Sequence, residues 1–185
     1  DRSVSGASEA FWNKVEEFEK RSDAQLAKDV TIALPMELSA EQNIELVRDF
    51  VARHITAQGM VADWVFHDAP GNPHIHLMTA LRPLTEEGFG RKKVPVLGED
   101  GEPLRVVTPD RPNGKIVYKL WAGDKETMKA WKIGWAETAN RHLALAGHDI
   151  RLDGRSYAEQ GLDGIAQKHL GPEKPALARK GVEMY

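Results

Sequence analysis

Apolar positions along this chain recur with two different periods, and the changes between them mark out its elements. In residues 8–21, Phe11, Val15 and Phe18 fall three and four apart, which predicts a helix with Ser8 as its N-cap. Over residues 26–34 the period drops to two. Val30, Ile32 and Leu34 take one face of a strand, Asp29, Thr31 and Ala33 take the other, and Pro35 closes it. A second helix is expected over 40–57, where Ser39 and Gln42 form a capping box and Ile44, Val47, Val51 and Ile55 line one face. Gly59 suits the left-handed position after it. Residues 60–68 and 74–81 read as two strands joined by the Gly- and Pro-containing stretch between them. A β excursion follows, with Val94–Leu97 and Leu104–Val107 expected to pair across a turn at Asp100-Gly101. Asn113-Gly114 marks a further turn before a short strand from Lys115 to Leu120. From about Asp124 to Ala146, Met128, Trp131, Trp135, Thr138, His142 and Leu145 define the inner stripe of a long helix. This order of elements predicts an α+β fold, a central antiparallel sheet with helices packed on one face.

Composition narrows the class. A chain of 185 residues, 41 % hydrophobic, fits one domain with a sizeable core; residues 148–185 read as its C-terminal extension. The net charge of −3 shows no global basic excess, so any nucleic-acid surface must be local. Cysteine is absent, which excludes disulfides and thiolate metal sites and fits a reducing, cytoplasmic compartment. No apolar run approaches the roughly 18 residues of a membrane span, and no signal peptide is visible. The first residue is Asp1 rather than Met. The expectation is therefore an N-terminally truncated fragment.

The candidate chemistry is concentrated in one place. His67, His74 and His76, three of the seven histidines in the chain, fall within ten consecutive positions. On a strand, His74 and His76 project to the same side. If the two flanking strands form a hairpin, His67 joins them, and three neutral imidazoles on a rigid sheet leave coordination positions open for catalysis. Ligation requires neutral rings, so metal affinity should fall in acid. Asn72-Pro73 holds the entry to the second strand extended. An imidazole ligand usually donates its second N–H to a carboxylate or carbonyl. Asp29 is the first candidate for that partner, and its alternative is a solvent-facing place at a sheet edge. Asp63 is a weaker candidate and Asp68 an ordinary turn residue. His54, His142, His148 and His169 read as surface, stripe or loop residues.

Several separate stretches resemble one family. These are Asp23 to Pro35, Gly59 to Asp63, Asn72-Pro73-His74-Ile75-His76, and Asp153 to Gly161. Together, and in this order, they resemble the MobA/MobL (MobQ-type) conjugative relaxases of the HUH endonuclease superfamily, and most of all its longer TraA-type members from rhizobial and agrobacterial plasmids. The resemblance spans nearly the whole chain. It implies a central antiparallel sheet with helices on it, of which the first strand precedes this chain. His67, His74 and His76 would then be the metal ligands. Asp29 stands where relatives commonly have Glu, drawn back by one methylene, and would orient one of the histidines. The family's nucleophilic tyrosine lies in an Ala-rich segment expected upstream of Asp1. Tyr118, Tyr157 and Tyr185 stand in no matching context, and Tyr157 reads as packing or DNA contact.

The implied reaction is nicking and religation of one DNA strand at a plasmid origin of transfer (oriT), through a 5′-phosphotyrosine intermediate. The cofactor would be a divalent cation, Mg²⁺ or Mn²⁺, with Ni²⁺ or Zn²⁺ also suited to three imidazoles. Partners would be single-stranded oriT DNA with or without a hairpin, relaxosome proteins and the coupling protein of a type IV secretion system, with no membrane partner. DNA contacts are expected from Arg82, Arg91, Lys92, Lys93, Lys115, Lys119 and Trp121. Their alternative is a solvated charge run beside a core tryptophan. Three other readings stay open: a rolling-circle replication initiator or HUH transposase, a non-cleaving module for single-stranded or hairpin DNA, and a three-His metal phosphoesterase.

Overall fold

Helix α1 runs from Arg2 to Phe18, six residues ahead of the expected start. Ser8 is therefore inside it rather than at its cap, and its hydroxyl donates to Asp63 instead. The computed structural model describes residues 2–163, with side chains from residue 6 onward. His169 and Tyr185 lie outside the described residues.

Strands β1 (Ala27–Ala33), β2 (Ala62–His67) and β3 (His74–Ala80) form an antiparallel sheet in the order β1-β3-β2. This confirms the α+β reading. Alternation along each strand sorts the side chains. Val30, Ile32, Ile75, Leu77, Ala62, Trp64 and Phe66 face the core. There they meet Val47, Phe50 and Val51 of helix α2 (Ala40–His54) and Trp131 of helix α3 (Lys125–Leu145). The capping box at Ser39 forms as expected: the Gln42 amide donates to the Ser39 hydroxyl at 3.2 Å, and the Ser39 backbone N–H donates to the Gln42 side chain at 2.9 Å. A 3₁₀ turn over Thr56–Gln58 follows α2, and Gly59 closes it at φ 78°.

Three expectations are corrected. First, the helices are not confined to one face. Ser8 and Trp12 of α1 both donate to Asp63, which by alternation points away from the core. Second, the stripe on α3 holds from Met128 to His142 but fails at its last member. Leu145 is 79 % exposed, whereas Ala139 and Leu143 pack with Leu38 and Leu46 of the α2 region. Small residues let the helices approach: a Cβ on Gly134 would fall 2.4 Å from the His54 ring, which itself stacks on Phe50. Third, the β excursion pairs differently. Strand β4 (Leu84–Thr85) and strand β5 (Gly88–Phe89) form an unexpected small hairpin. Beyond it, β6 (Lys93–Pro95) pairs with β9 (Tyr118–Leu120), and β7 (Arg105–Thr108) pairs with β8 (Arg111–Ile116). The expected contact between 94–97 and 104–107 is reduced to a bridge at Leu97 and Pro103 and one Leu104–Val96 hydrogen bond. Asn113-Gly114 is no terminal turn. Gly114 lies within β8 at φ 70°, where a Cβ would sit 2.9 Å from that of Arg105.

After α3 the chain doubles back. The Asn140 side chain donates to the Leu152 carbonyl at 2.8 Å and accepts from its amide at 2.7 Å, as a strand would. The first compact unit ends at Gly154 and a second begins at Arg155. Within the second, Ser156 and Glu159 cap a short turn reciprocally.

Candidate metal centre

The second face of the sheet carries three cross-strand rows. Register places Asp29, Met78 and Asp63 in one row, Thr31, His76 and Val65 in the next, and Ala33, His74 and His67 in the third. A directly opposed pair and a neighbour two residues along the same strand bring three imidazoles to one spot. Ring centroids lie 5.0 Å apart for His67–His74, 5.0 Å for His67–His76 and 5.3 Å for His74–His76. One ligating nitrogen from each ring falls within 4.8 Å of the other two. Ligand nitrogens around a transition ion stand roughly 3.3 Å apart, so small χ rotations suffice to close the set. His67 and His76 are exposed and His74 is half-buried, so substrate can approach from the open side. At the far end of the face α1 engages Asp63 instead.

The turn that aims His74 is built locally. The Asn72 amide donates to the Ala69 carbonyl at 2.9 Å, and Gly71 takes φ 72°. Buried Pro73 then leads into β3, and its carbonyl receives the Leu34 amide at 2.9 Å. His74 Nδ1 sits 2.8 Å from the Asn72 carbonyl, which only accepts, so Nδ1 carries the proton and Nε2 is left as the ligand. His76 Nδ1 lies 3.4 Å from the Thr31 hydroxyl directly across the strand pair. Asp29 shares the face but stands opposite Met78, diagonal to His76; among the described residues no hydrogen bond joins it to an imidazole. Sequence reasoning missed Thr31 and the Asn72 carbonyl. Counting along β1 from Asp29 to its i+2 neighbour could have found the first. The donor set fits a divalent transition ion: imidazole nitrogens only, one of them already oriented, with an open side.

Residues 3–180 match the MobA/MobL family. The chain belongs to that family. This MobA/MobL domain is 66 % identical over 97 % of its length to a probable conjugal transfer protein TraA of Sinorhizobium fredii, and 63 % identical over 97 % to TraA of Rhizobium radiobacter. It spans 16 % of the length of each of those relatives. It is also 33 % identical over 93 % of its length to mobilization protein A of Escherichia coli, covering 23 % of that protein. Among solved structures, it superposes with TM-score 0.62 and 30 % identity on a chain described under the molecular basis of vancomycin resistance transfer in Staphylococcus aureus, over 80 % of this chain and 66 % of that one.

The basic residues of this MobA/MobL domain separate into two groups. Arg82 is no free phosphate ligand. Its Nε donates to Glu19 at 2.7 Å and its Nη1 to the Gly90 carbonyl at 2.9 Å, and the guanidinium lies over Phe18. Lys92 is held likewise, by Glu19 at 2.8 Å and by the Gln25 carbonyl. The Arg82 hydrogen bond, opposed by burial and reinforced by Lys92, keeps the Glu19 carboxyl below the usual carboxylate range. Trp121 packs on the main core rather than offering a free ring. Arg91 and Lys119 are exposed. Lys93 and Lys115 line one cavity of about 620 Å³. Among the described residues, no helix is long and apolar enough to cross a membrane.

Proposed function

We propose that this MobA/MobL domain is the DNA-nicking part of a conjugative transfer protein, cutting and rejoining one strand at a plasmid transfer origin. The single observation carrying this reading is the three-imidazole cluster on one sheet face, within 4.8 Å ligand to ligand, in a member of this family. His67, His74 and His76 hold a divalent cation there. Bound in that place, a cation supplies Lewis acidity toward the non-bridging oxygens of a scissile phosphate. The Asn72 carbonyl and the Thr31 hydroxyl fix the rings of His74 and His76, and Asp29 adds negative charge from the neighbouring row. The sheet keeps the ligands in place without reorganisation when the substrate arrives.

The attacking group is a tyrosine from a segment preceding Asp1. Its phenol loses its proton and the oxygen bonds to phosphorus. The bond from phosphorus to the 3′ oxygen breaks, leaving a 5′-phosphotyrosine and a free 3′ hydroxyl. Religation is the reverse, and because the phosphoester is conserved, the cycle needs no nucleoside triphosphate. The partners are single-stranded transfer-origin DNA, relaxosome proteins and a secretion coupling protein.

Two measurements test the reading. In calorimetric titration, this chain should bind Mn²⁺ or Ni²⁺ more tightly than Mg²⁺, because imidazole donors favour softer ions. His76→Ala should abolish that preference. Equal affinity for Mg²⁺ and Mn²⁺ counts against the three-His site. The chain joined to its own preceding segment, with Mn²⁺ and single-stranded origin DNA, should form an adduct that survives denaturation. Cleaved DNA with no adduct would instead indicate a metal phosphoesterase, and binding with no cleavage a non-cutting module.

A further inference from the structure

The β6–β9 and β7–β8 ribbons line a chemically distinctive open cleft that the metal centre does not use. Their cavity of about 620 Å³ lies within the roughly 300–1,000 Å³ that encloses a group the size of a nucleoside. Lys93, Arg111 and Lys115 line it, and Asp110 is the one acid among its lining residues. No ion pair among the described residues engages any of these three cations, in contrast to Arg82 and Lys92, which Glu19 neutralises. Tyr118 lies along the same wall, 48 % exposed, and Val106 is 52 % exposed. Apolar surface and an accessible aromatic ring beside unpaired cations form the combination that holds an unpaired base and its phosphates. A duplex would hide the base faces from the ring.

We propose that this cleft binds single-stranded nucleic acid, with Tyr118 stacking on a base and Lys93, Arg111 and Lys115 engaging the flanking phosphates. The proposal rests on the DNA-nicking reading and assigns where the strand is held apart from the metal. The ring is supplied by Tyr118, not by Trp121. The cleft works without a cation in the histidine cluster, so its contribution persists in chelator.

The test is fluorescence anisotropy of a labelled single strand with this chain, in EDTA, over a range of salt. Arg111→Ala with Lys115→Ala should flatten the slope of log affinity against log salt by about 0.7 for each phosphate that is no longer neutralised. Tyr118→Ala should weaken binding about 5- to 100-fold with the slope unchanged, and Tyr118→Phe should bind like the parent. Lys132→Ala, an exposed change on α3, should alter neither. All four replaced side chains are exposed, and a retained melting temperature separates impaired binding from impaired folding. Parent-like affinity and slope in both Tyr118→Ala and the double variant would overturn the proposal. So would equal competition by a duplex or by an acidic peptide. If the cleft variants bind normally while the longer chain still forms its covalent adduct, the cleft assignment fails and the nicking reading stands. If the parent binds no single strand, both fail.

Discussion

The proton on His74 Nδ1 is committed to the Asn72 carbonyl two residues earlier, so the ring offers Nε2 as a ligand without help from a distant carboxylate. Asp29 illustrates the opposite case. Its place on the correct face follows from alternation, but its row does not, because register decides which residue stands opposite His76, and that residue is Thr31. Arg82 lies two residues past the end of β3, which in sequence puts it near the metal strand. Tertiary folding brings it to Glu19, 63 positions earlier, and neutralises it. Arg82→Ala should therefore lower stability by about 1–3 kcal/mol, since it leaves a largely buried Glu19 with Lys92 as its remaining cation. Urea denaturation measures this directly. Unchanged stability with weakened DNA binding would restore the phosphate role to Arg82.

Helices α2 and α3 are joined by a polar cluster as well as by the core. Asp49 on α2 receives Arg53 from its own helix and Arg141 and His142 from α3, with His142 Nε2 at 3.0 Å. Burial works against ionisation here, but the hydrogen bonds from Arg53, His142 and Arg141 outweigh it and hold the Asp49 carboxyl well below the usual carboxylate range. A carboxyl depressed in the folded state contributes stability that is fully present above its unfolded titration near pH 4, and that contribution is lost as the pH falls below it. Asp49→Asn should thus cost about 1–2 kcal/mol near neutrality and almost nothing at strongly acidic pH. Thermal unfolding of both proteins across that range checks it; an equal loss at every pH would deny Asp49 its role. The positions of α2 and α3 were legible to within three residues because their apolar periods are local, whereas α1 starts six residues ahead of its expected start. Strand pairing in the excursion was not legible. Val94–Leu97 and Leu104–Val107 each look like strands, but the choice of partner depends on which pairing also accommodates β8 and β9.

Across the whole first unit, the core face of the sheet is buried by α2 and α3, and the histidine face is left open at one end. A cation bound there engages only the folded chain, because the three rings converge only when β2 and β3 pair in register. Mn²⁺ or Ni²⁺ at about 100 times its dissociation constant should therefore stabilise the fold by about 2.7 kcal/mol. The expected readout is a rise in melting temperature that is absent in His76→Ala. A rise that persists in that variant would place the binding elsewhere.

By itself the sequence determined the three long helices, the strands of the main sheet, the hairpin that gathers His67, His74 and His76, and the family, because helical and strand periods, capping residues and motif order are all carried by neighbours along the chain. Tertiary structure alone decided that Thr31 rather than Asp29 faces His76, that Glu19 consumes Arg82 and Lys92, and that Lys93, Arg111, Lys115 and Tyr118 share one cleft. Each of those outcomes depends on register or on contacts between residues far apart in the chain, and no local pattern of letters encodes which distant group will arrive.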